Sequence, residues 1–328
     1  MSVAVLIVNY RTADLVVGLL ESLEPELRAF PGARAIVVDN ASGDGSAEKI
    51  GTFIRERRLT WATLVASEKN GGFAHGNNLA IAEARRSPEP HRYYYLLNPD
   101  TVVLPGAVRE LVAFLDAHPR AGIAGGAQEL PDGTTLEALF RFHSVLGELE
   151  VTLGVGPISR RLAGHAIARP IPEQPAQADW VSGATMMIRR EVVDQIGLLD
   201  DRYFLYYEEM DYCRRAVKAG WECWVVPASR ILHFAGQSTG VTTRGKKLGR
   251  RPQYWFDSRR RYFLKHHGPI TFHAANLSWL YAYPIGKLYR RLRGRPDDDP
   301  PRLWWDFFRF NYLVPAFSQR PTDDNVGR

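Results

Sequence analysis

Val3-Ala4-Val5-Leu6-Ile7-Val8, followed at once by Asn9-Tyr10-Arg11, decides the fold class of this chain. Six consecutive apolar residues, three of them valines, are typical of a strand that is buried on both faces of a parallel sheet. The run has no basic flank and meets polar residues immediately, which is unlike a secretory signal peptide. We therefore predict a central, buried strand here.

The residues that follow repeat this pattern, with short apolar runs alternating with longer helical patterns as far as residue 127. Strands are predicted at residues 3–8, 35–38, 63–65, 93–97 and 122–125, and helices near 12–23, 46–57, 74–84 and 106–117. Further on, strands are predicted at 180–188 and 221–226 and a helix at 208–219. Such alternation predicts an α/β fold with a Rossmann-like, mostly parallel central sheet flanked by helices.

Composition divides the chain into two regions. Residues 1–243 form the α/β domain, in which residues 128–178 are a proline-containing, loop-rich insertion, and residues 244–328 form a basic, aromatic and helical C-terminal region. That region holds 18 Lys/Arg against 7 Asp/Glu, whereas the rest of the chain holds 24 against 29. A basic block suits nucleic acid, anionic lipid or a phosphate-bearing substrate, or it forms a solvated helix face.

Several classes of protein are excluded by what the sequence lacks. Hydrophobic residues make up 45% and charged residues 24% of the chain, so an intrinsically disordered protein is excluded. The two cysteines, Cys213 and Cys223, are too few for a disulfide scaffold and fit a reducing, cytoplasmic setting. Neither a Gly-x-Gly-x-x-Gly fingerprint after the first strand nor a phosphate-binding P-loop is present.

Polar residues follow each of the first four predicted strands. They are Asn9-Tyr10-Arg11, Asp39-Asn40, Glu68-Lys69-Asn70-Gly71-Gly72 and Asn98-Pro99-Asp100. Because ligands of open α/β sheets bind beyond the carboxyl ends of the strands, these segments are the candidate ligand site. Asp39 suits a nucleoside base or ribose as well as it suits a helix cap. Asp100 suits a hard divalent cation, although an Asx-Pro turn alone explains this motif.

An acidic cluster marks the start of the predicted helix at 208–219. Glu208, Glu209 and Asp211 lie within four residues, preceded by Tyr206 and Tyr207. The dipole of a helix N-terminus tolerates such acids, and burial beside aromatic rings raises a carboxyl pKa toward the range of a general base. His233 follows another predicted strand, where its imidazole is a candidate metal ligand.

Together these motifs resemble family 2 of the inverting nucleotide-sugar glycosyltransferases, in particular its rhamnosyltransferase-like branch. The resemblance runs from about Val3 to Gly268. Its carriers are Ile7-Val8-Asn9-Tyr10, Val37-Val38-Asp39-Asn40-Ala41-Ser42, Asn70-Gly71-Gly72-Phe73-Ala74 with Gly76-Asn77-Asn78, Leu97-Asn98-Pro99-Asp100, Val181-Ser182-Gly183-Ala184, Tyr206-Tyr207-Glu208-Glu209-Met210-Asp211-Tyr212-Cys213-Arg214-Arg215 and His233-Phe234-Ala235-Gly236-Gln237-Ser238.

The resemblance implies a GT-A fold and a role for each matching residue. Asp39 would contact the base or ribose, within a donor nucleotide site of Asn9, Tyr10, Arg11, Asp39, Asn70, Gly71, Asn78 and Asn98. Asp100, helped by His233, would hold Mg²⁺ or Mn²⁺, with Asn98 standing where the family often has an aspartate. Glu209 would be the general base and Asp211 the second candidate. The acceptor and sugar would lie against Trp180, Gly183, Ala184 and Glu208.

The resemblance also implies a substrate class. It favours dTDP-L-rhamnose as donor, with other UDP- or GDP-sugars as alternatives, and a glycan or polyprenyl-diphosphate-linked acceptor in bacterial cell-surface polysaccharide synthesis. Basic and aromatic residues of the C-terminal region suit an anionic membrane surface, hence a peripheral position at the inner face of the cell membrane, or they form core and a solvated face.

Two other classes stay open at this point. A sugar nucleotidyltransferase also uses acidic metal ligands, but it usually carries a Gly-rich basic loop that Asn9-Tyr10-Arg11-Thr12-Ala13 does not match. A degenerate nucleotide-binding or nucleic-acid-binding protein would use the basic tail, yet the chain has no recognisable nucleic-acid module. We therefore expect no nucleic-acid partner.

Overall fold

A computed structural model describes residues 2–234 and 249–316 of the chain. The strands are β1 (Val3–Asn9), β2 (Arg34–Asp39), β3 (Ala62–Ala66), β4 (Tyr93–Leu97), β5 (Thr101–Val103), β6 (Ala121–Glu129), β7 (Leu139–Phe140), β8 (Ala168–Arg169), β9 (Ala176–Ala178), β10 (Thr185–Arg189) and β11 (Glu222–His233). The helices are α1 (Ala13–Leu27), α2 (Ser46–Glu56), α3 (Gly72–Ala84), α4 (Ala107–Ala117), α5 (Val145–Leu153), α6 (Gly156–Arg161), α7 (Arg190–Ile196), α8 (Glu208–Lys218), α9 (Gln253–Leu292) and α10 (Leu303–Phe308).

The central sheet has the strand order β3-β2-β1-β4-β10-β6-β11-β5, and β9 pairs with β11. Strands β3, β2, β1 and β4 are parallel, as are β6 and β11. Strand β10 runs antiparallel between β4 and β6. The predicted α/β fold with a mostly parallel sheet is therefore confirmed. The antiparallel β10 brings its amino end to the carboxyl ends of its two neighbours.

Helices cover both faces of this sheet because both faces of its strands are apolar. In β1, Val3, Val5 and Ile7 pack into one buried cluster with side chains of α1, α2 and α4. The alternate residues Ala4 and Leu6 pack into a second cluster with side chains of α3, α7 and α8. Because successive side chains of a strand point to opposite faces of the sheet, β1 contributes to two hydrophobic cores.

Several segments differ from the sequence-based expectation, since β5 and α7 were not predicted and β11 continues to His233 beyond the predicted end at residue 226. The strand predicted at residues 180–188 begins only at Thr185, because Val181 to Ala184 form a turn in which the Thr185 N–H donates to the Ser182 carbonyl at 3.2 Å. The apolar composition of that turn mimics a strand. The insertion of residues 128–178 is less loop-rich than expected, since it contains β7, β8, β9, α5 and α6.

The C-terminal helix α9 is kinked and packs on α5. Gly268, at φ 79° and ψ 173°, interrupts its helical backbone. A buried ion pair joins the two helices, because the Arg259 guanidinium donates to both carboxylate oxygens of Glu148 and also to Asn276 Oδ1 at 2.6 Å. No helix within residues 2–234 and 249–316 is long and apolar enough to cross a membrane.

Gly72 is the point where the loop after β3 meets the segment before α8. Its φ is +83°, and a Cβ atom there would lie 1.9 Å from the carbonyl oxygen of Phe204. The next residue is fixed by the same contact, since the Phe73 N–H donates to the Phe204 carbonyl at 2.9 Å. Only glycine therefore fits at this junction.

We expect Gly72→Ala to lower the free energy of unfolding by about 3 kcal/mol or more, because the methyl group displaces backbone as well as straining φ. Gly133→Ala is the matched control, since Gly133 has φ +82° with open space around it and should lose only about 1 kcal/mol. Urea unfolding measures both. Equal losses would contradict the close packing at Gly72.

Candidate active site

Asp39 is the centre of a buried hydrogen-bond network at the carboxyl ends of β1 and β2. Its Oδ1 accepts from Asn9 Nδ2 at 2.7 Å and from Ser42 Oγ at 2.6 Å, and its Oδ2 accepts from the Ser42 N–H at 3.1 Å. Helix α2 begins at Ser46 and receives no side-chain cap from its N-cap residue, Gly45. Asp39 therefore shapes this loop and does not cap the helix.

Arg11 and Tyr10 form the wall next to this network. The Arg11 guanidinium lies over the Tyr10 ring, 5.0 Å from its centroid, and Arg11 Nε donates to the Ser42 carbonyl at 3.0 Å. Arg11 has φ 58°, which is uncommon for a residue with a side chain. The loops after β1 and β2 are thus held together around Ser42, a residue of the sequence motif to which no role was predicted.

The loop after β3 joins the same edge of the sheet. Asn40 Nδ2 donates to Asn70 Oδ1 at 2.9 Å, and the Gly71 N–H donates to Asn40 Oδ1 at 3.3 Å. Asn78 lies apart from these residues, along α3. Its amide donates to the Leu199 carbonyl and accepts from the Leu199 N–H, so both of its polar atoms serve a packing contact.

Asp100 and His233 face each other beyond β4 and β11. Asp100 is 2% exposed, and its Oδ1 lies 3.4 Å from His233 Nε2. The other imidazole nitrogen, Nδ1, lies 2.8 Å from Gln128 Oε1, an oxygen that can only accept, so Nδ1 donates to it and Nε2 is the nitrogen that faces Asp100. Asn98 contributes backbone here, since its N–H donates to the Ala184 carbonyl at 3.4 Å.

This pair fits a divalent cation that also binds phosphate. A carboxylate suits Mg²⁺ or Mn²⁺, and Mg²⁺ characteristically takes only one or two protein carboxylates beside substrate phosphates and water. Gln128 supplies the hydrogen bond that orients a ligating imidazole. Residues 2–234 and 249–316 contain no group of three or more potential metal-ligating acids, histidines or cysteines.

Glu208 and Glu209 begin α8 on a strained turn. Tyr206 and Tyr207 both have positive φ, at 71° and 69°, which is uncommon for residues with a side chain. The Gly183 N–H donates to the Glu209 carboxylate. Each glutamate keeps one buried carboxylate oxygen, Oε2, without a hydrogen-bond partner among the described residues.

Burial sets the protonation of these two acids. Desolvation raises the pKa of Glu209 to about 7, against the lowering effect of the hydrogen bonds from its own N–H and from Gly183. Desolvation also raises the pKa of Glu208 well above its usual range, and the neighbouring charge of Glu209 adds to the rise. A carboxylate with a pKa near the ambient pH is suited to accept a proton.

Asp211, the second candidate for a base, is occupied elsewhere. Its carboxylate accepts from His266 Nε2 at 2.7 Å and Arg215 Nε at 3.0 Å, and Lys265 Nζ lies 2.6 Å away. Burial alone would raise the pKa of Asp211, but the hydrogen bonds from His266 and Lys265 lower it. Asp211 therefore links α8 to α9, and its geometry favours Glu209 as the base.

Gly183 lies beside Glu209, since a Cβ at Gly183 would be 3.8 Å from the Glu209 Cβ, and Trp180, nearby in sequence, packs against the insertion. The Trp180 ring stacks on Phe140 at 4.3 Å, and its Nε1 donates to the Arg141 carbonyl at 2.9 Å. A Cβ at Gly183 would lie 3.1 Å from the Phe73 ring, so the turn passes close to that side chain. Ala184 is buried and supplies only its backbone.

Comparison of the sequence with models of known protein families accounts for these features together. The sequence model described as "Glycosyltransferase like family 2" matches residues 2–268, most of the chain. The chain belongs to this glycosyltransferase family. The predicted resemblance is thereby confirmed, and the enzyme is a glycosyltransferase rather than a sugar nucleotidyltransferase. The predicted motif at 233–238 continues past Phe234 into residues outside the described part of the chain.

Three curated relatives are similar to this family 2 glycosyltransferase. The N-acetylglucosaminyl-diphospho-decaprenol L-rhamnosyltransferase of Mycobacterium tuberculosis is 29% identical over 62% of this chain and 67% of its own. Rhamnosyltransferase WbbL of Escherichia coli is 25% identical over 50% and 61%. The low-salt glycan biosynthesis hexosyltransferase Agl10 of Haloferax volcanii is 27% identical over 69% and 66%.

Solved structures confirm the GT-A fold. The mannosyltransferase PcManGT of Pyrobaculum calidifontis, in complex with GDP-mannose and Mn²⁺, has a TM-score of 0.55 at 16% identity and covers 89% of this chain and 74% of its own. GalNAc-T7 with UDP, GalNAc and Mn²⁺ has a TM-score of 0.55 at 14% identity, with coverage of 90% and 55%.

The raised pKa of Glu209 predicts how stability depends on pH. The native state holds the proton more tightly than the unfolded chain, so this group makes the free energy of unfolding fall as pH rises from about 4.5 to about 7. Glu209→Gln removes that ionisation. Its stability relative to the wild type should therefore increase between pH 4 and pH 8, by up to about 3 kcal/mol.

Urea unfolding across this pH range measures the effect. Glu191→Gln is the control, because Glu191 is exposed at the start of α7 and does not share the buried pocket. If the free energy of unfolding of Glu209→Gln depended on pH in the same way as that of the wild type, Glu209 would not be the buried acid that titrates near neutrality.

Proposed function

We propose that this enzyme transfers a sugar from a nucleotide-sugar donor with inversion of configuration, and that Glu209 is its general base. The observation that supports this most is the partly buried Glu209 carboxylate with a pKa of about 7, held by the Gly183 N–H at the carboxyl edge of the sheet. A base in this state is half deprotonated at neutral pH and keeps enough basicity to take a proton.

A single displacement balances the reaction. The acceptor hydroxyl oxygen bonds to the anomeric carbon from the face opposite the leaving group while the bond from that carbon to the diphosphate oxygen breaks. The hydroxyl proton passes to Glu209 Oε, and the electron pair of the broken bond stays on the nucleoside diphosphate. One displacement at one carbon inverts its configuration.

The network around Asp39 is the proposed binding site of the nucleoside. Asp39 lies at the end of β2 with Asn9 and Ser42, and the Tyr10–Arg11 wall stands beside it. Asn70, Gly71 and Asn98 belong to the adjacent loops and are proposed to line the same site. Asn78 remains a predicted donor contact, and through its two bonds to Leu199 it would act by positioning α3.

Asp100 and His233 are the proposed holders of a divalent cation, Mg²⁺ or Mn²⁺. When bound, this ion supplies positive charge that stabilises the leaving diphosphate. The Mn²⁺ in the two structural neighbours, PcManGT and GalNAc-T7, supports the use of such an ion. Asn98 adds no negative charge, so Asp100 is the carboxylate on which ion binding depends.

The donor is proposed to be dTDP-L-rhamnose, with a UDP- or GDP-sugar as the alternative. Two of the three relatives described above are rhamnosyltransferases, and the mycobacterial one acts on an N-acetylglucosaminyl-diphospho-decaprenol. We accordingly propose a glycan or polyprenyl-diphosphate-linked acceptor, bound against Trp180, Gly183, Ala184 and Glu208. Such an acceptor belongs to cell-surface polysaccharide synthesis at the cytoplasmic side of the membrane.

Glu209→Gln should lower kcat for sugar transfer by about 10²- to 10⁴-fold with little change in the KM for the donor, because Gln keeps the shape but cannot accept the proton. The wild-type kcat/KM should rise with pH through about 7. Transfer is measured with dTDP-rhamnose, UDP-sugars and GDP-sugars in parallel. Glu191→Gln should match the wild type, and full transfer by Glu209→Gln would overturn the assignment.

Gln128→Leu should weaken Mn²⁺ binding in the presence of nucleoside diphosphate by about 10- to 100-fold, since it removes the hydrogen bond that orients His233. Asp100→Ala should weaken it further. Gln177→Leu is the control, because Gln177 is exposed on β9. Titration calorimetry with Mn²⁺ and UDP or dTDP measures binding. Equal affinities for Asp100→Ala and the wild type would place the ion elsewhere.

A further inference from the structure

Helix α9 exposes a stripe of large apolar side chains beyond its kink at Gly268. Successive members are separated by seven, four, four, three and four residues, which places them on one side of an α-helix. Their exposed fractions run from 50% to 86%, far above those of core residues. The stripe consists of Ile270 (86%), Leu277 (50%), Tyr281 (74%), Ile285 (59%), Leu288 (59%) and Leu292 (77%).

The opposite side of the same helical segment is firmly packed. Phe272, Ala275, Ala282 and Tyr283 are buried. A Cβ at Gly286 would lie 2.4 Å from the Thr152 carbonyl of α5, so the two helices touch backbone to backbone there. The exposure of the stripe is therefore a property of one face of a fixed helix, and it does not reflect a loosely attached segment.

Aromatic side chains of α10 extend the apolar face. Trp304 Nε1 donates to the Leu280 carbonyl at 3.0 Å, which places this ring beside the stripe, and Trp304 and Trp305 are 39% and 47% exposed. Tyr312 stacks on His273 at 5.8 Å and is 37% exposed. Tryptophan and tyrosine are the residues that favour the boundary between lipid headgroups and hydrocarbon.

The charge around this face is predominantly positive, since six Lys or Arg and three Asp lie between residues 287 and 302, and Asp297 and Asp299 pair with Lys287 and Arg290. From Ser258 to Pro296 the sequence contains no Asp or Glu, while Arg291, Arg293 and Arg295 are exposed at the end of α9 and in the turn after it. Arginines beside an exposed apolar stripe are attracted to anionic lipid headgroups. The same charges oppose self-association of two copies through this face, because like charges repel.

We propose that this face, consisting of the α9 stripe, Trp304, Trp305 and the three arginines, binds the surface of an anionic membrane. The helix lies in the plane of the interface with the stripe toward the hydrocarbon and the arginines at the headgroups. Membrane binding would bring the enzyme to the proposed lipid-linked acceptor, and in this respect it rests on the proposed function. The membrane contact itself is independent of which donor or acceptor the enzyme uses.

The first part of α9 connects this face to the catalytic turn. Ser258 Oγ donates to the Leu205 carbonyl at 2.9 Å, and Tyr262 and Phe263 pack in one cluster with Tyr203 and Tyr207. Because one kinked helix carries both sets of contacts, membrane binding holds Glu209 at a set height above the bilayer. An acceptor whose diphosphate lies at the headgroups would thereby be presented to the base.

Flotation with vesicles tests the surface. The full chain should float with vesicles of phosphatidylcholine and phosphatidylglycerol, and less with phosphatidylcholine alone. Ile285→Glu with Leu288→Glu should reduce binding by roughly tenfold or more, and Arg291→Glu with Arg293→Glu should reduce it only on anionic vesicles, in a salt-dependent way. Val217→Glu, an equally apolar and 41% exposed site on α8, should bind as the wild type.

Donor hydrolysis without vesicles separates this test from that of the proposed function. The stripe and arginine variants should keep wild-type hydrolysis and thermal stability, since these side chains point to solvent. Undiminished flotation of Ile285→Glu with Leu288→Glu would overturn the proposal. The wild type could instead form a dimer at high concentration that the variant does not form, and fail to bind vesicles. That result would mean that the face binds a second copy of the chain, and it would also overturn the proposal.

Discussion

The antiparallel pairing of β10 between β4 and β6 is the constraint on which the rest of the site depends. Its register sets Thr185 opposite Leu97, so the turn of Gly183 and Ala184 meets the turn that carries Asp100. The Asn98 N–H bonds to the Ala184 carbonyl across this junction, and the Gly183 N–H bonds to Glu209. A parallel strand in this place would put that turn at the other end of the sheet.

Holding two glutamates together in a buried turn is unfavourable, and other contacts offset this cost. Glu208 and Glu209 are neighbours with raised pKa values, preceded by two residues at positive φ. The turn persists because it is held from both sides, by the Phe204 contact with Gly72 and by the packing of Tyr207 in the cluster that includes Tyr262 and Phe263. Asp211 adds a third contact, because its carboxylate bonds to His266 and pairs with Lys265 on α9. Backbone strain of this kind persists only where the surrounding structure supports it.

The fold was predictable from sequence wherever a strand is a pure apolar run, as in β1 and β4, because burial on both faces leaves a local signature. The turn at Val181 to Ala184 was misassigned, since its apolar residues are buried for a reason that depends on tertiary contacts. Asp39 and Glu209 could be singled out from their motifs. Gln128 could not, because its bond to His233 joins residues 105 positions apart, and the exposure of the α9 stripe depends on which helix face α5 covers.

The anomeric configuration of the product is the most direct test of inversion by this enzyme, because a single base and a single displacement allow one stereochemical outcome. Proton NMR of the glycosidic product formed from a donor of known anomeric configuration gives the answer. We expect the newly formed glycosidic bond to have the configuration opposite to that of the donor. Retention would require two displacements or a front-face mechanism and would contradict the role of Glu209 as the sole proton acceptor.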